Sequence, residues 1–290
     1  MARPLATAYL DGDYLPLNEA RISPLDRGFL FGDGVYEVIP VYAGRLFRFE
    51  EHLRRLAYSL DAIRLPDPYS AARWREVLDG LVARNGGGMQ SIYLQITRGA
   101  DTGRDHRFPA NVAPTVFALS QELAPVPEAW LTGGVAVVAA EDIRWQRCDI
   151  KATALLGNIL LRQQAEDTGA AETLLIRDGC VTEGSSSTLF VVTADGVVRT
   201  PPKDNRLLPG ITRDLILELA RGAGLACEEA EIPATDLASF PEIWIASSSR
   251  EVLAVTRLNG AAVGYGHPGP IWQQVHALFQ RYKKNLAAND

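Results

Sequence analysis

Only four lysines stand among the 29 basic residues, namely Lys151, Lys203, Lys283 and Lys284, and their settings differ in a way that bears on chemistry. Lys203 sits in the turn-forming run Pro201-Pro202-Lys203-Asp204-Asn205, and Lys283 and Lys284 sit in the polar C-terminal stretch. Lys151 is instead followed by Ala152-Thr153-Ala154-Leu155-Leu156-Gly157, the one lysine set against a prospective core. Arginine carries the ordinary surface charge here. An amine, unlike a guanidinium, can shed its proton and attack a carbonyl, so Lys151 is a candidate for a covalent bond to an aldehyde. The plain alternative is a lysine whose stem packs on a helix while its head reaches water.

Other groups could serve such a centre. Glu183 precedes the small hydroxyl run Gly184-Ser185-Ser186-Ser187-Thr188, where backbone can approach a ligand and a carboxylate can meet a ring nitrogen, favouring its protonated form. A serine-rich surface turn is the competing explanation. Leu208-Pro209-Gly210-Ile211-Thr212 opens a helix, so the amides of Ile211 and Thr212 can face a phosphate with the helix dipole behind them. Arg55 could add a fork of donors, and Ser247 and Ser248 further hydroxyls; ordinary capping and surface charge explain the same residues equally simply. In Gly103-Arg104-Asp105-His106-Arg107-Phe108 an extended backbone puts Arg104 and His106 on one side and Asp105 on the other. With the Tyr36 phenol they could grip a carboxylate, although a solvated charged loop reads the same way.

Positioning these groups requires a framework, and the pattern of apolar residues supplies one. Tyr9 to Val41 reads as short strands and turns, with Asp11-Gly12-Asp13 a hairpin signal. Leu53, Leu56, Leu60 and Ile63, then Trp74, Val77, Leu78, Leu81 and Val82, recur at helical spacing. Ile92, Leu94 and Ile96 alternate as in a half-buried strand, with Val116–Leu119 as partner. Pro125 and Pro127 favour extended chain and mark a linker. Beyond it the pattern predicts a strand over 135–139, a helix over 154–168, a hairpin turning at Asp178-Gly179, strands at 189–192 and 243–245, and helices over 212–220 and 271–282.

A chain of 290 residues favours two lobes, and 47% hydrophobic content is enough for a core in each. A net charge of -6, with both signs mixed along the chain, offers no phosphate-neutralising face, so nucleic acid is not an expected partner. Cys148, Cys180 and Cys227 lack the pairing and spacing of a disulfide framework or zinc site, so no metal is expected and a reducing cytoplasm fits. No apolar run approaches the roughly 20 residues of a membrane span.

Three segments carry a family resemblance: Asp26-Arg27-Gly28 with Phe31-Gly32-Asp33-Gly34-Val35-Tyr36-Glu37-Val38; Glu141-Asp142-Ile143-Arg144-Trp145 with Arg147-Cys148-Asp149-Ile150-Lys151; and Thr182-Glu183-Gly184-Ser185-Ser186-Ser187. In this order they resemble the fold-type IV pyridoxal-phosphate aminotransferases, nearly end to end. The second segment, with Arg104 and His106, is most similar to the D-amino-acid group of that family. The resemblance implies an α/β (α+β) two-domain architecture. A smaller N-terminal α/β domain at 1–122 would carry the carboxylate trap, a linker would span 123–129, and a larger barrel-like C-terminal domain with helices would occupy 130–290. Pyridoxal 5'-phosphate would lie in the interdomain cleft.

By the same resemblance Lys151 is the Schiff-base lysine and proton carrier, and Glu183 the partner of the ring nitrogen. Arg55, Ile211, Thr212, Ser247 and Ser248 contact the phosphate region, and Leu208 packs behind the ring. Tyr36, Arg104 and His106 form the carboxylate trap that selects the D enantiomer. A cytoplasmic homodimer is implied, exchanging an amino group between D-alanine and 2-oxoglutarate. The alternatives on this scaffold are a branched-chain L-aminotransferase, an R-selective amine transaminase, an aminodeoxychorismate lyase, or a binding protein without turnover. Asp105 inside the trap and Arg250 beside the serine pair depart from the family's pattern.

Overall fold

The computed structural model describes residues 3–288, which fall into two compact units. The first comprises the chain through Ala124 together with Ile150–Leu155 and the chain from Leu286. Its elements are β1 (Pro4–Leu10), β2 (Asp13–Pro16), α1 (Arg27–Phe31), β3 (Gly34–Tyr42), β4 (Arg45–Leu46), α2 (Phe49–Ala62), α3 (Ala71–Arg84), β5 (Gln90–Thr97) and β6 (Thr115–Glu122). The strands form an antiparallel sheet in the order β2-β1-β6-β5-β3-β4.

Period-two alternation in β3 sends Val35, Glu37, Ile39 and Val41 to the buried face. There they meet Leu56 and Leu60 of α2 and Trp74, Leu78 and Leu81 of α3, each fully buried aliphatic side chain contributing about 1.5–3 kcal/mol. Ser70 starts α3 by accepting the Arg73 amide. The short helix α1 was not expected from periodicity, because five residues make little more than one turn. Asp26 caps it by accepting the Gly28 amide, and Gly32 ends it at φ +66°, a left-handed conformation open to glycine.

The second unit comprises Pro125–Asp149 and Leu156–Asn285. It contains α4 (Glu128–Gly133), β7 (Val135–Glu141), α5 (Leu156–Asp167), β8 (Glu172–Arg177), β9 (Cys180–Gly184), β10 (Thr188–Val192), β11 (Val198–Thr200), α6 (Ile211–Gly222), β12 (Cys227–Glu229), β13 (Glu242–Ser247), β14 (Glu251–Leu258), β15 (Ala261–Ala262) and α7 (Pro270–Ala288). The sheet runs β12-β11-β10-β13-β14-β7-β8-β9 with β15 added to β14. It is mixed, with β7 parallel to both β14 and β8.

Two details differ from the domain reading. The stretch 123–129 is not extended throughout: α4 begins at Glu128, directly after Pro127, whose fixed φ of -56° suits a helix start. Residues 150–155 lie within the expected 130–290 domain in sequence but cluster with the first unit. Ile150 is in that unit's core and Ala152 bridges Val35. Among the described residues no helix is long and apolar enough to cross a membrane.

Candidate active site

Lys151 reaches its place through backbone rather than side-chain bonds. Its amide donates to Ser59 Oγ at 3.2 Å, and its carbonyl accepts the Tyr36 amide at 2.9 Å. Thr153 fixes the next turn by donating its hydroxyl to the carbonyls of Gly32 and Gly34. The half-buried ammonium thus lies 4.1 Å from the centroid of the Tyr36 ring, a cation–π distance. Tyr36 in turn lies 5.6 Å from Tyr93. Burial, with Tyr36 beside it, pushes the Tyr93 phenol up to about 12.

On the other face of β3, Glu37 is wholly buried and takes a two-pronged grip from Arg55, Nε to Oε1 and Nη2 to Oε2, both at 2.8 Å. His52 Nδ1 lies 2.7 Å from Oε2. His52, Arg55 and Ser59 follow at helical spacing on the buried face of α2, so one helix side serves Glu37 and Lys151 together. Burial alone would raise the Glu37 carboxyl, but the charge and hydrogen bonds of Arg55, then of His52, hold it well below the usual carboxylate range. Burial pushes the His52 imidazole down, and Glu37 pulls against it. Glu37 is one of the residues that sequence reasoning missed. The signal was present, since a carboxylate on the apolar face of a strand needs a buried cation.

The loop carrying Arg104 and His106 is exposed, and both residues gather around Phe31 of α1. The Arg104 guanidinium is 5.0 Å and the His106 ring 5.3 Å from its centroid. Among the described residues no hydrogen bond or ring contact joins either to Tyr36. Asp105 turns away and pairs with Arg107, whose hydrogen bonds hold its carboxyl down to about 2. Its charge therefore has its own partner.

In the second unit Glu183 closes β9 and is 5% exposed. Arg144 Nη1 donates to Oε1 at 2.7 Å and the Leu208 amide to Oε2 at 3.2 Å. Arg144 is itself held by Asp142, which also pairs with Arg177. Burial pushes the Glu183 carboxyl up, while Arg144 and the Leu208 amide pull it back. The same pairing raises Arg144 above its ordinary value against its own burial. Leu208 therefore touches Glu183 through backbone, a role side-chain reasoning could not supply. Below Glu183, the buried Glu172 accepts the hydroxyls of Ser185, Ser186 and Ser187, so the serine run is a fixed turn.

Ile211 and Thr212 are the first residues of α6, whose N-cap, Gly210, supplies no side-chain acceptor. A Cβ on Gly210 would stand 2.7 Å from Thr188 Oγ1, so the close approach requires glycine. Ser247 ends β13 and accepts the Arg250 amide, and Ser248 follows half-buried in the turn. Among the described residues no hydrogen bond joins either serine to Ile211 or Thr212. Arg250 is anchored to the Ala171 carbonyl at 2.9 Å and lies 3.7 Å from Glu172. Its bulk is thus directed at that network.

In the first unit Lys151 stands beside Tyr36, and in the second Glu183 is buried and Ile211 and Thr212 open α6. Residues 34–258 match the family model described as amino-transferase class IV. The chain is a class IV aminotransferase. It is 40% identical over 264 residues to the D-alanine aminotransferase of Listeria innocua, covering 90% of this chain and 91% of that one. Among solved structures, the branched-chain amino acid aminotransferase of Escherichia coli superposes with a TM-score of 0.90 at 25% identity, covering 96% and 94% of the two chains. A hypothetical aminotransferase from Mycobacterium tuberculosis, in its PLP-bound form, gives 0.79 at 27% identity over 94% and 98%. The aminotransferase thus has a fold-type IV architecture of mixed α/β type, as the resemblance implied.

Proposed function

We propose that this aminotransferase moves the amino group of a D-amino acid, D-alanine above all, to a 2-oxo acid such as 2-oxoglutarate, in a ping-pong sequence with pyridoxal 5'-phosphate. Bound, that cofactor supplies an electron-accepting pyridine ring that stabilises charge at the substrate carbon. Lys151 is its covalent anchor. Its Nζ would also be the base that takes the proton from the substrate carbon. Glu183, whose carboxyl accepts from Arg144 and the Leu208 amide, holds the proton on the ring nitrogen. The amides of Ile211 and Thr212, Arg55 steered by Glu37, and the hydroxyls of Ser247 and Ser248 bind the phosphate, and Leu208 backs the ring. Tyr36, Arg104 and His106 orient the substrate carboxylate.

The observation that carries this reading is the setting of Lys151, its backbone locked on both sides and its amine over Tyr36. The identity to a D-alanine aminotransferase favours the D enantiomer over the branched-chain alternative. A homodimer is supported by α5, where Leu156, Ile159 and Leu160 share a face and are 70%, 61% and 50% exposed. A cytoplasmic setting agrees with three free cysteines. The test compares D-alanine, L-leucine and R-phenylethylamine, each with 2-oxoglutarate. The reading expects D-alanine to be preferred by at least an order of magnitude, and preference for either competitor overturns it. Release of pyruvate from aminodeoxychorismate would identify a lyase.

A further inference from the structure

Arg27 opens α1 and is 3% exposed, yet its guanidinium does not serve the helix. Nε donates to Asp33 Oδ2 at 2.8 Å, Nη1 to the Asp105 carbonyl at 2.5 Å and Nη2 to the His106 carbonyl at 3.4 Å. The guanidinium also lies 4.8 Å from the centroid of Phe31, the ring flanked by Arg104 and His106. Asp33 aims it, being held from the other side by Arg98 Nε at 2.9 Å. Arg98 donates on to the carbonyls of Ile63 and Arg64 and stacks on Phe108 at 3.7 Å, clamping the far end of the same loop.

From this geometry we infer that Arg27, aimed by Asp33, is a positioning residue that fixes the 104–107 loop and so presents Arg104 and His106 to the substrate carboxylate. The inference rests on the carboxylate-binding role proposed above for those two residues. A loop that is otherwise exposed loses its entropy before the substrate arrives, so less binding energy is spent ordering it. Lysine at 27 would keep the charge but lose the fork that reaches Asp33 and two carbonyls at once.

The test uses holoenzyme with Arg27→Gln and Arg27→Lys beside the wild type, and two kinds of measurement. In steady-state kinetics the variants should raise KM for D-alanine and for 2-oxoglutarate at least tenfold, with kcat held within about threefold and the cofactor absorbance unchanged. Half-reaction with D-alaninamide, which lacks the carboxylate, should be nearly unaffected. Hydrogen exchange should quicken in the peptide covering 101–109 and stay as in the wild type in α2 and β5, which separates loop release from general unfolding. Equal losses on alanine and alaninamide, or unchanged exchange at 101–109 in both variants, overturn the inference. Failure of the D-amino-acid reading shows instead as a wild type inactive on D-alanine. The exchange result in Arg27→Lys then still decides whether Arg27 holds the loop.

Discussion

Replacing Glu37 by Gln tests the buried network behind β3. The side chain keeps its shape and loses its charge, removing the two-pronged ion pair on the Arg55 guanidinium, 7% exposed, and the carboxylate that faces the wholly enclosed His52. Breaking a buried pair from one side costs about 3–5 kcal/mol, because the remaining charge stays desolvated and loses the attraction that offset its burial. At roughly 4 °C per kcal/mol for a unit of this size, the melting temperature should fall by about 12–20 °C. The assay is calorimetric unfolding of the apoenzyme, with cofactor titration alongside. Since Glu37 steers Arg55, affinity for pyridoxal phosphate should fall as well. A Glu37→Gln protein within about 1 kcal/mol of the wild type, the cost expected of an exposed pair, would mean that the pair behind β3 is not a buried ionic one.

Arg144→Met should push the Glu183 carboxyl higher still, since burial acts there with less opposition. The acid limb of the kcat/KM profile should then move to higher pH, which a pH–rate series reads directly. His52 is held below its ordinary value by burial, so the unfolded chain binds a proton that the folded one does not. Its contribution to stability is present above about pH 6.5 and is lost as pH falls toward the depressed folded value. His52→Asn should flatten that part of the stability curve, measured by urea unfolding between pH 7 and pH 5. Gly34→Ala would set a Cβ 2.7 Å from the Ile96 carbonyl in the paired strand. Backbone there cannot yield cheaply, so about 1–3 kcal/mol should be lost, checked by thermal melting.

Legibility in the sequence followed the range of each interaction. Helices such as α2 and α3 repeat one apolar stripe over three or more turns, and β5 and β6 alternate cleanly, so local pattern sufficed. The strand β14 went unread because Val252 to Thr256 is buried on both faces, which erases alternation. Its parallel pairing with β7 joins residues more than a hundred positions apart. Lys151 and Glu183 stood out because their chemistry conflicts with the chain around them. Glu37, Arg27 and Arg144 did not, since each works through a partner distant in sequence that only the fold identifies. Asp105 read as an intruder, whereas its carboxylate closes on Arg107 two residues away.

The covalent bond at Lys151 anchors the proposed chemistry. Holoenzyme treated with borohydride, digested and mapped by mass spectrometry should carry the phosphopyridoxyl group on the peptide containing Lys151. Conversion of Lys151 to Ala should abolish both the adduct and transamination. A label found on Lys203, Lys283 or Lys284 instead, or a Lys151→Ala protein that still turns over D-alanine at the wild-type rate, would contradict the account.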